Sequence, residues 1–476
     1  MKCNLLLCLA VSVILFSLPQ LDGSAIHPGQ RGRKKVLILG AGAAGITAAK
    51  TLYDKGITDF LVLEAQDYIG GRMKSVPFAG MKIEEGANWI HFAEEHDVNP
   101  LLPLQEKHNL KGRLSNYSDF CMRNDFGKDV TNLRLYKKWE EVSEKLFEMG
   151  EERGDEDHPP RDMPISVALK LLGWRSNTPA KKALSWFELD FEYGVGEKET
   201  SLNNMAFPPE EDFFVTDQRG YWTIFGDFYK PFQDKILLNK AVRKIRYSDD
   251  SVTVVTNDGE VYSADYALST FSSGVLGSNF IRFSPPLPKW KREAIYRFRP
   301  VYFTKIFLKF PYDFWDDHEW IMHASQKPGN FPTFYDLNRP GFFPGSNVLF
   351  TVVTGDEALR VEKQRESKTK KDVMDTLRKM YGNKIPEATD IHVSKWSQNP
   401  FVRCAWTDPV VGTSWGHYEN MSGRLKNLFF AGESTSQEYY GYVQGAYFTG
   451  RDKAEEIVSC IKGEECEAYT SATEEI

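Results

Sequence analysis

The chain has 476 residues, of which 41% are hydrophobic and 26% charged, enough to bury a substantial core in roughly two or three domains. A formal net charge of −7 leaves no broad basic footprint for nucleic acid and suits a cationic ligand. The composition is that of an ordinary soluble globular protein.

At the N-terminus Lys2 precedes the apolar run Leu5 to Leu18, followed by Pro19 and the small residues Gly23-Ser24-Ala25. This is the pattern of a secretory leader, residues 1–25, with cleavage near Ala25. A membrane anchor is the alternative, for which the run is short. No later stretch is apolar enough to cross a bilayer, so the mature chain is expected to be secreted and free of the membrane.

A basic linker, Arg31 to Lys35, leads into the apolar strand Val36-Leu37-Ile38-Leu39, then Gly40-Ala41-Gly42-Ala43-Ala44-Gly45 and a helical run to Lys55. A second strand, Phe60 to Leu63, ends at Glu64. Together they form a βαβ unit with a dinucleotide fingerprint. Gly40 permits the tight turn, Gly42 lets backbone approach a pyrophosphate, and Gly45 lets the helix pack on the strand. Glu64 stands where a ribose-binding carboxylate belongs, and the helix N-terminus offers free N–H groups to phosphate.

From about Leu101 to Gln233 charged helical patterns, Leu135 to Glu152 and Ile165 to Leu172, alternate with loops rich in Gly, Pro and Asp, as in an inserted domain. Strand patterns return at Ile236 to Tyr247, Val252 to Val255 and Val261 to Leu268, the last two joined by the Asn257-Asp258-Gly259 turn. A mixed segment, Pro285 to Thr389, contains the strand Val301 to Phe310. The part from Trp396 onward carries Asn427 to Glu433, a strand ending in a Gly-Glu pair, and then the helix Gly441 to Cys460. That helix offers a second N-terminus to phosphate or ribityl oxygens.

Of six cysteines, Cys3 and Cys8 fall in the leader, leaving Cys121, Cys404, Cys460 and Cys466. Cys460 and Cys466 bracket a short polar loop that an oxidising compartment could close as a disulfide, with two free thiols as the alternative. Two sequons, Asn116-Tyr117-Ser118 and Asn420-Met421-Ser422, are compatible with glycosylation.

Six stretches together resemble the flavin-containing polyamine oxidases: Gly40 to Gly45, Glu64, Gly70-Gly71-Arg72, Glu85-Gly86-Ala87-Asn88-Trp89, Val301 to Phe310 and Gly441 to Tyr447. The likeness covers almost all of the mature chain and is greatest to the secreted plant-type enzymes. Gly-Gly-Arg alone would indicate only the wider flavin amine oxidase superfamily, with its monoamine oxidases, L-amino-acid oxidases and histone demethylases.

The resemblance implies an α/β protein with a discontinuous Rossmann-like FAD-binding domain assembled from residues 34–100, 234–284 and 395–465. An α+β substrate domain, 101–233 and 285–394, would contain a mixed six-stranded sheet, and 466–476 would form a C-terminal tail. FAD would be noncovalent, without a metal. The substrates would be a small cationic amine of the spermine and spermidine class and O2. Hydride would pass from the carbon beside an amine nitrogen to flavin N5, O2 would become hydrogen peroxide, and the imine would hydrolyse to an aminoaldehyde.

By the same resemblance Lys305 is the lysine that holds a water near N5, although its strand pattern alone favours a side chain in solvent. His91 stands where animal spermine oxidases have a substrate-contacting histidine and plant-type enzymes usually have a glutamate. The loop after it, Phe92 to Asp97, departs from both subtypes. Glu192 and Tyr193 match a glutamate–aromatic pair of the substrate tunnel, with Glu192 pairing a distal ammonium. Trp406 and Tyr442 match the two aromatics that sandwich the reacting amine, and Phe303 replaces a tunnel tyrosine.

Cofactor contacts are expected at Gly40, Gly42, Gly45, Glu64, Gly71, Arg72, Val242, Glu433 and Val443. Arg72 would meet phosphate, Glu64 the adenosine ribose, Val242 the adenine and Glu433 the ribityl or pyrophosphate region. Monoamine oxidases bind FAD through a cysteine near Cys404, but the polyamine oxidase alignment puts Ala405 at that position. A secreted L-amino-acid or other amine oxidase and a catalytically inactive FAD-binding protein are the alternatives. An L-amino-acid oxidase needs an arginine for the substrate carboxylate, and none matches the tunnel positions.

Overall fold

Val36 to Leu39 are apolar without interruption, which suits a parallel strand covered on both faces. In the structure, a computed structural model describing residues 32–92, 99–154, 159–205, 211–327, 329–464, 466 and 468–472, they lie fully buried in the strand Lys34–Leu39. Residues 1–25, residues 93–97 of the loop after His91, and residues 467 and 473–476 of the tail lie outside the described residues.

Lys34–Leu39 runs parallel to Phe60–Leu63 on one side and to Val261–Ser269 on the other. Beyond Val261–Ser269 the antiparallel meander continues through Val252–Thr256 and Val242–Tyr247. Leu428–Phe430 pairs with residues 267–269, the end of Val261–Ser269 that Val252–Thr256 leaves unpaired. The single strand expected over Ile236 to Tyr247 is in fact two. Ile236–Leu237 pairs with Phe60–Leu63, whereas Val242–Tyr247 joins the far side of the sheet. Between them Asn239 adopts a left-handed φ of 58°, a conformation asparagine tolerates better than most residues.

The second sheet has six strands in the order Asp390–Val393, Phe303–Lys309, Val348–Thr354, Thr333–Asp336, Trp320–Ala324, Phe120–Asn124. All neighbours are antiparallel except the last pair, so the sheet is mixed. Trp139, Val142, Leu146 and Phe147 form one face of the helix Leu133–Gly154. That face shares a core with Trp186, Phe187 and Phe191 and with Trp320, Tyr335 and Phe350 of the sheet. On the opposite face Ala358, Val361, Val373 and Leu377 of two further helices cover Ile306, Leu308 and Val353.

Packing redraws two of the expected domain limits. Phe232 is fully buried against Phe60 and Tyr53 of the first βαβ unit, so the chain has rejoined the cofactor-side layer before residue 234. Likewise the helix Lys289–Arg297 buries Ala294 and Ile295 beside Val242, Ile245 and Met421, on the cofactor side rather than in the substrate layer. In both places aromatic and aliphatic side chains of a connecting segment fill the nearer core.

The C-terminal helix Val443–Lys462 lies along the first helix, Ala43–Asp54. A Cβ on Gly450 would stand 2.3 Å from the Ala44 carbonyl oxygen, so glycine is what allows this approach. Cys460 and Cys466 form a disulfide, while Cys121 and Cys404 are free and buried. Past the disulfide, the Tyr469 hydroxyl and the Ala472 N–H donate to Asn420 Oδ1 at 2.9 and 3.1 Å. The two sequons therefore differ: Asn116 is exposed, whereas Asn420 is 6% exposed under the docked tail.

Candidate active site

One cavity extends from the first βαβ turn to the face of the six-stranded sheet. At its cofactor end Gly40 turns the chain with φ +119°, and a Cβ on Gly45 would fall 2.0 Å from the Gly40 carbonyl oxygen. The first helix therefore starts tight against the strand that feeds it. Gly42 and Ala43 at its N-terminus line the cavity, and so do Tyr442 and Val443 at the N-terminus of Val443–Lys462. Neither helix has a side-chain N-cap or an acidic residue in its first turn. Two sets of free N–H groups and two positive dipole ends thus face the same space.

Gly71 also lines this space, and a Cβ on Gly42 would meet nothing nearer than the Gly71 Cα at 3.9 Å. Open glycine backbone beside two helix N-termini is a cradle for a diphosphate. Glu64 ends the second strand with Oε2 accepting from Ala41 N at 2.7 Å and Oε1 from Gln66 N at 2.9 Å. Burial pushes its pKa up and the backbone N–H groups pull it back, leaving it above the ordinary carboxylate value. Its remaining acceptor positions suit ribose hydroxyls. Val242, Lys240 and Thr270 line the cavity as well. These residues fit a dinucleotide such as FAD.

Arg72 and Glu433, expected to contact the cofactor separately, are tied to each other. Arg72 Nη1 donates to Glu433 Oε1 at 2.9 Å and to the Ala405 carbonyl at 3.0 Å. Glu433 also accepts from Thr407 Oγ1 and from Gly441 N, both at 3.1 Å. The pair fixes the turn before Tyr442 and still lines the cavity. Cys404 is 0% exposed and does not line the cavity, whereas Ala405 does.

At the other end the sheet supplies Lys305, only 3% exposed. Its Nζ donates to Gly86 O at 2.7 Å, Asn88 Oδ1 at 3.2 Å and Glu84 O at 3.3 Å, and lies 5.1 Å from the Trp89 ring centre. Burial drives its pKa down to about 7, against the upward pull of Glu84 and Glu85. The strand's apolar neighbours therefore enclose this lysine, contrary to the pattern-based expectation of a solvent-facing one.

Phe303, Trp406, Tyr193 and Tyr442 line the same cavity, with Phe303 and Trp406 rings 4.9 Å apart. Glu192 sits in the short helix Phe191–Tyr193, which follows a π-helical segment, Trp186–Asp190, and stops at Gly194. It is not a solvated surface charge: its Oε1 accepts from the Tyr442 hydroxyl at 2.5 Å inside the cavity. Burial raises its pKa, His91 lowers it, and burial prevails. The His91 ring meets Tyr442 edge-on at 4.8 Å.

His91 brings in a residue the sequence did not single out. Its Nδ1 is 2.8 Å from Asp212 Oδ1, and Asp212 Oδ2 accepts from the Tyr117 hydroxyl at 2.6 Å. Asp212 belongs to the acidic run Glu210-Glu211-Asp212, which reads as surface. The antiparallel pairing of Ile90 with Phe213 places it opposite His91. Among the described residues no group of three or more His, Cys, Asp or Glu side chains is arranged to hold a metal, and no helix is long and apolar enough to cross a membrane.

A strand–Gly turn–helix cradle and a second helix end, in one cavity with a buried lysine and several aromatic side chains, define a dinucleotide-dependent oxidoreductase. A family model described as flavin containing amine oxidoreductase matches residues 43–458. Polyamine oxidase 1 of Zea mays is 36% identical over 98% of this chain and 97% of its own length. Polyamine oxidase 6 of Oryza sativa subsp. japonica is 35% identical, over 95% and 96%. The fold is that of a solved wild-type putrescine oxidase bound to putrescine, with TM-score 0.73, 18% identity, and 90% of this chain and 100% of that one covered. The chain belongs to the flavin-containing amine oxidoreductase family. It is a flavin-dependent amine oxidase, with FAD as its cofactor.

The Gly450 crossing can be tested by Gly450→Ala, which forces the Ala44 and Gly450 backbones apart. The expected protein folds but holds FAD more weakly, seen as less flavin absorbance per protein after gel filtration. Flavin retention equal to the wild type's would show that the crossing does not set the cradle.

Proposed function

We propose that this enzyme oxidises polyamines of the spermine and spermidine class, releasing hydrogen peroxide and an aminoaldehyde. The observation that carries this reading is Glu192, a carboxylate held inside the cavity by Tyr442, in the same lining as Lys305 and the aromatic rings of Phe303, Trp406 and Tyr442. A carboxylate there pairs the distal ammonium of a long cation and fixes which carbon reaches the flavin. Trp406, Phe303 and Tyr442 guide the amine through their faces and keep the site dry. Bound FAD supplies the hydride acceptor and then passes two electrons to O2.

Lys305 brings a positive charge to the cavity, tuned by burial. Ala405 rather than Cys404 borders the cavity, which supports noncovalent FAD. An amino-acid substrate would need a free arginine. Among the described residues lining the cavity the one arginine is Arg72, committed to Glu433.

We also propose that the chain enters the secretory pathway through residues 1–25. The Cys460–Cys466 disulfide supports this reading. Peptide mapping of the protein expressed in a secreting eukaryotic host is expected to find a glycan on exposed Asn116 and none on buried Asn420. An unmodified Asn116 in such a product would count against the secretory reading.

Lys305→Met is expected to keep FAD bound and slow reoxidation of the pre-reduced enzyme by O2 by roughly 10²-fold. Below pH about 7 Lys305 is the ammonium and stabilises negative charge arriving on O2; above it the charge is gone. The wild-type reoxidation rate should therefore fall as pH rises through about 7, and Lys305→Met should lose that inflection. An unchanged rate and profile would remove Lys305 from this role.

Glu192→Gln deletes the buried anion while keeping its shape. The expected loss in kcat/KM is on the order of 10- to 100-fold for spermine and spermidine, and much smaller for a short monoamine. Equal losses for both would contradict ammonium pairing.

A further inference from the structure

Of the residues in the cavity wall, His91 has a supporting arrangement that substrate contact alone does not require. Asp212 is 2% exposed and accepts from His91 Nδ1 at 2.8 Å and from the Tyr117 hydroxyl at 2.6 Å. The backbone holds both ends of this link. The strand Trp89–Ile90 pairs with Phe213–Val215 in the register Ile90 to Phe213, and the His91 carbonyl accepts from Asn99 Nδ2 at 2.6 Å. Tyr442 closes on the ring edge-on from the cavity side.

An ionised carboxylate only accepts, so the hydrogen of neutral His91 is placed on Nδ1. The Nε2 lone pair is thereby kept free. No described residue bonds Nε2, and the ring lines the cavity. Lys305, the other basic group here, already donates to three oxygens.

We propose that Asp212 and Tyr117 are positioning residues that make His91 the base removing the proton from the substrate ammonium, an inference that rests on the amine substrate proposed above. In this step the ammonium N–H bond breaks and an N–H bond forms at Nε2. The electron pair stays on the amine nitrogen, which then carries the lone pair that C–H oxidation needs. The positive charge moves onto the imidazole, beside Asp212 and within the field of Glu192, and the net charge of the site is unchanged. The remaining groups facing His91 are Lys305, which opposes its charge, and the neutral phenols of Tyr117 and Tyr442. Burial works against the imidazolium, but Asp212 and Glu192 outweigh it and hold the His91 pKa above the ordinary histidine value.

The test is anaerobic flavin reduction by spermidine, followed by stopped flow across pH in the full-length holoenzyme and three variants. In the wild type the second-order rate constant for reduction should rise with pH through the His91 inflection. His91→Gln should lower it by roughly 10²-fold and abolish that inflection. Asp212→Asn removes the supporting charge and should move the inflection to lower pH. Tyr117→Phe removes a hydroxyl that shares the Asp212 charge and should move it to higher pH.

Opposite shifts are not what a packing role would give. Coincident profiles for the wild type, Asp212→Asn and Tyr117→Phe would overturn the proposal. If Asp212→Asn does not fold, an unmoved inflection in Tyr117→Phe, where Asp212 remains, overturns it alone. A wild-type flavin reduced by no amine would overturn the substrate reading beneath it, an outcome distinct from normal reduction with unmoved profiles.

Discussion

Two helices from opposite ends of the chain cross at Ala44 and Gly450 with no side chain between them, and the active site depends on that crossing. A helix N-terminus attracts a phosphate with free N–H groups and a dipole that act only over about the first turn. One such terminus is common in dinucleotide sites; here the crossing delivers a second, beginning at Val443, into the same cavity. It also fixes Tyr442, the residue immediately before that helix, which carries the hydroxyl for Glu192 and the ring for His91. Cofactor cradle and substrate wall are therefore parts of one rigid join. The Glu433 carboxylate reinforces it by holding both Gly441 N and Arg72.

The second constraint is electrostatic. The six-stranded sheet places Lys305 where water is nearly excluded, and charge there is costly unless matched. Three backbone and side-chain oxygens meet its Nζ, yet burial still prevails and leaves its pKa near 7. Nearby, Glu192 and Asp212 are also withdrawn from water, each with a tyrosine hydroxyl on one oxygen. On the function proposed above, an incoming polyamine brings positive charge to the Glu192 carboxylate in the cavity wall, while Asp212 stands behind His91. On that proposal, substrate binding completes a charge balance rather than docking on a preformed neutral surface.

The glycine-rich turn, Glu64 and the strands beside them were legible in sequence because their geometry is local: a strand, a turn and a helix within one short stretch. The helices Leu133–Gly154 and Ile165–Leu171 were legible for the same reason, through the spacing of their apolar residues. Reading failed where distant chain decides the outcome. The break at Asn239 depends on pairing with Phe60–Leu63, and the placement of Lys289–Arg297 depends on which core accepts Ala294 and Ile295. Lys305 looked solvent-facing by alternation because the helices that cover both faces of its sheet come from elsewhere. Asp212 left no local mark, since an acidic run looks like surface until the Ile90–Phe213 register puts its last member behind His91.

That register bears on how this chain differs from the plant-type pattern its motifs resemble, where a glutamate usually stands at the position of His91. A direct replacement of glutamate by neutral histidine would remove one negative charge from a site that receives cations. With Asp212 behind it, the His91–Asp212 pair carries one negative charge when the imidazole is neutral, so the charge is retained one residue deeper. What is added is a titratable ring between the anion and the cavity. Tyr117 donates to the anion from behind, and Phe303 brings no hydroxyl to the cavity lining. Under the proposal above, the polar contact to the reacting nitrogen falls on one imidazole nitrogen, and the Ile90–Phe213 pairing sets the Asp212 contact that orients the ring.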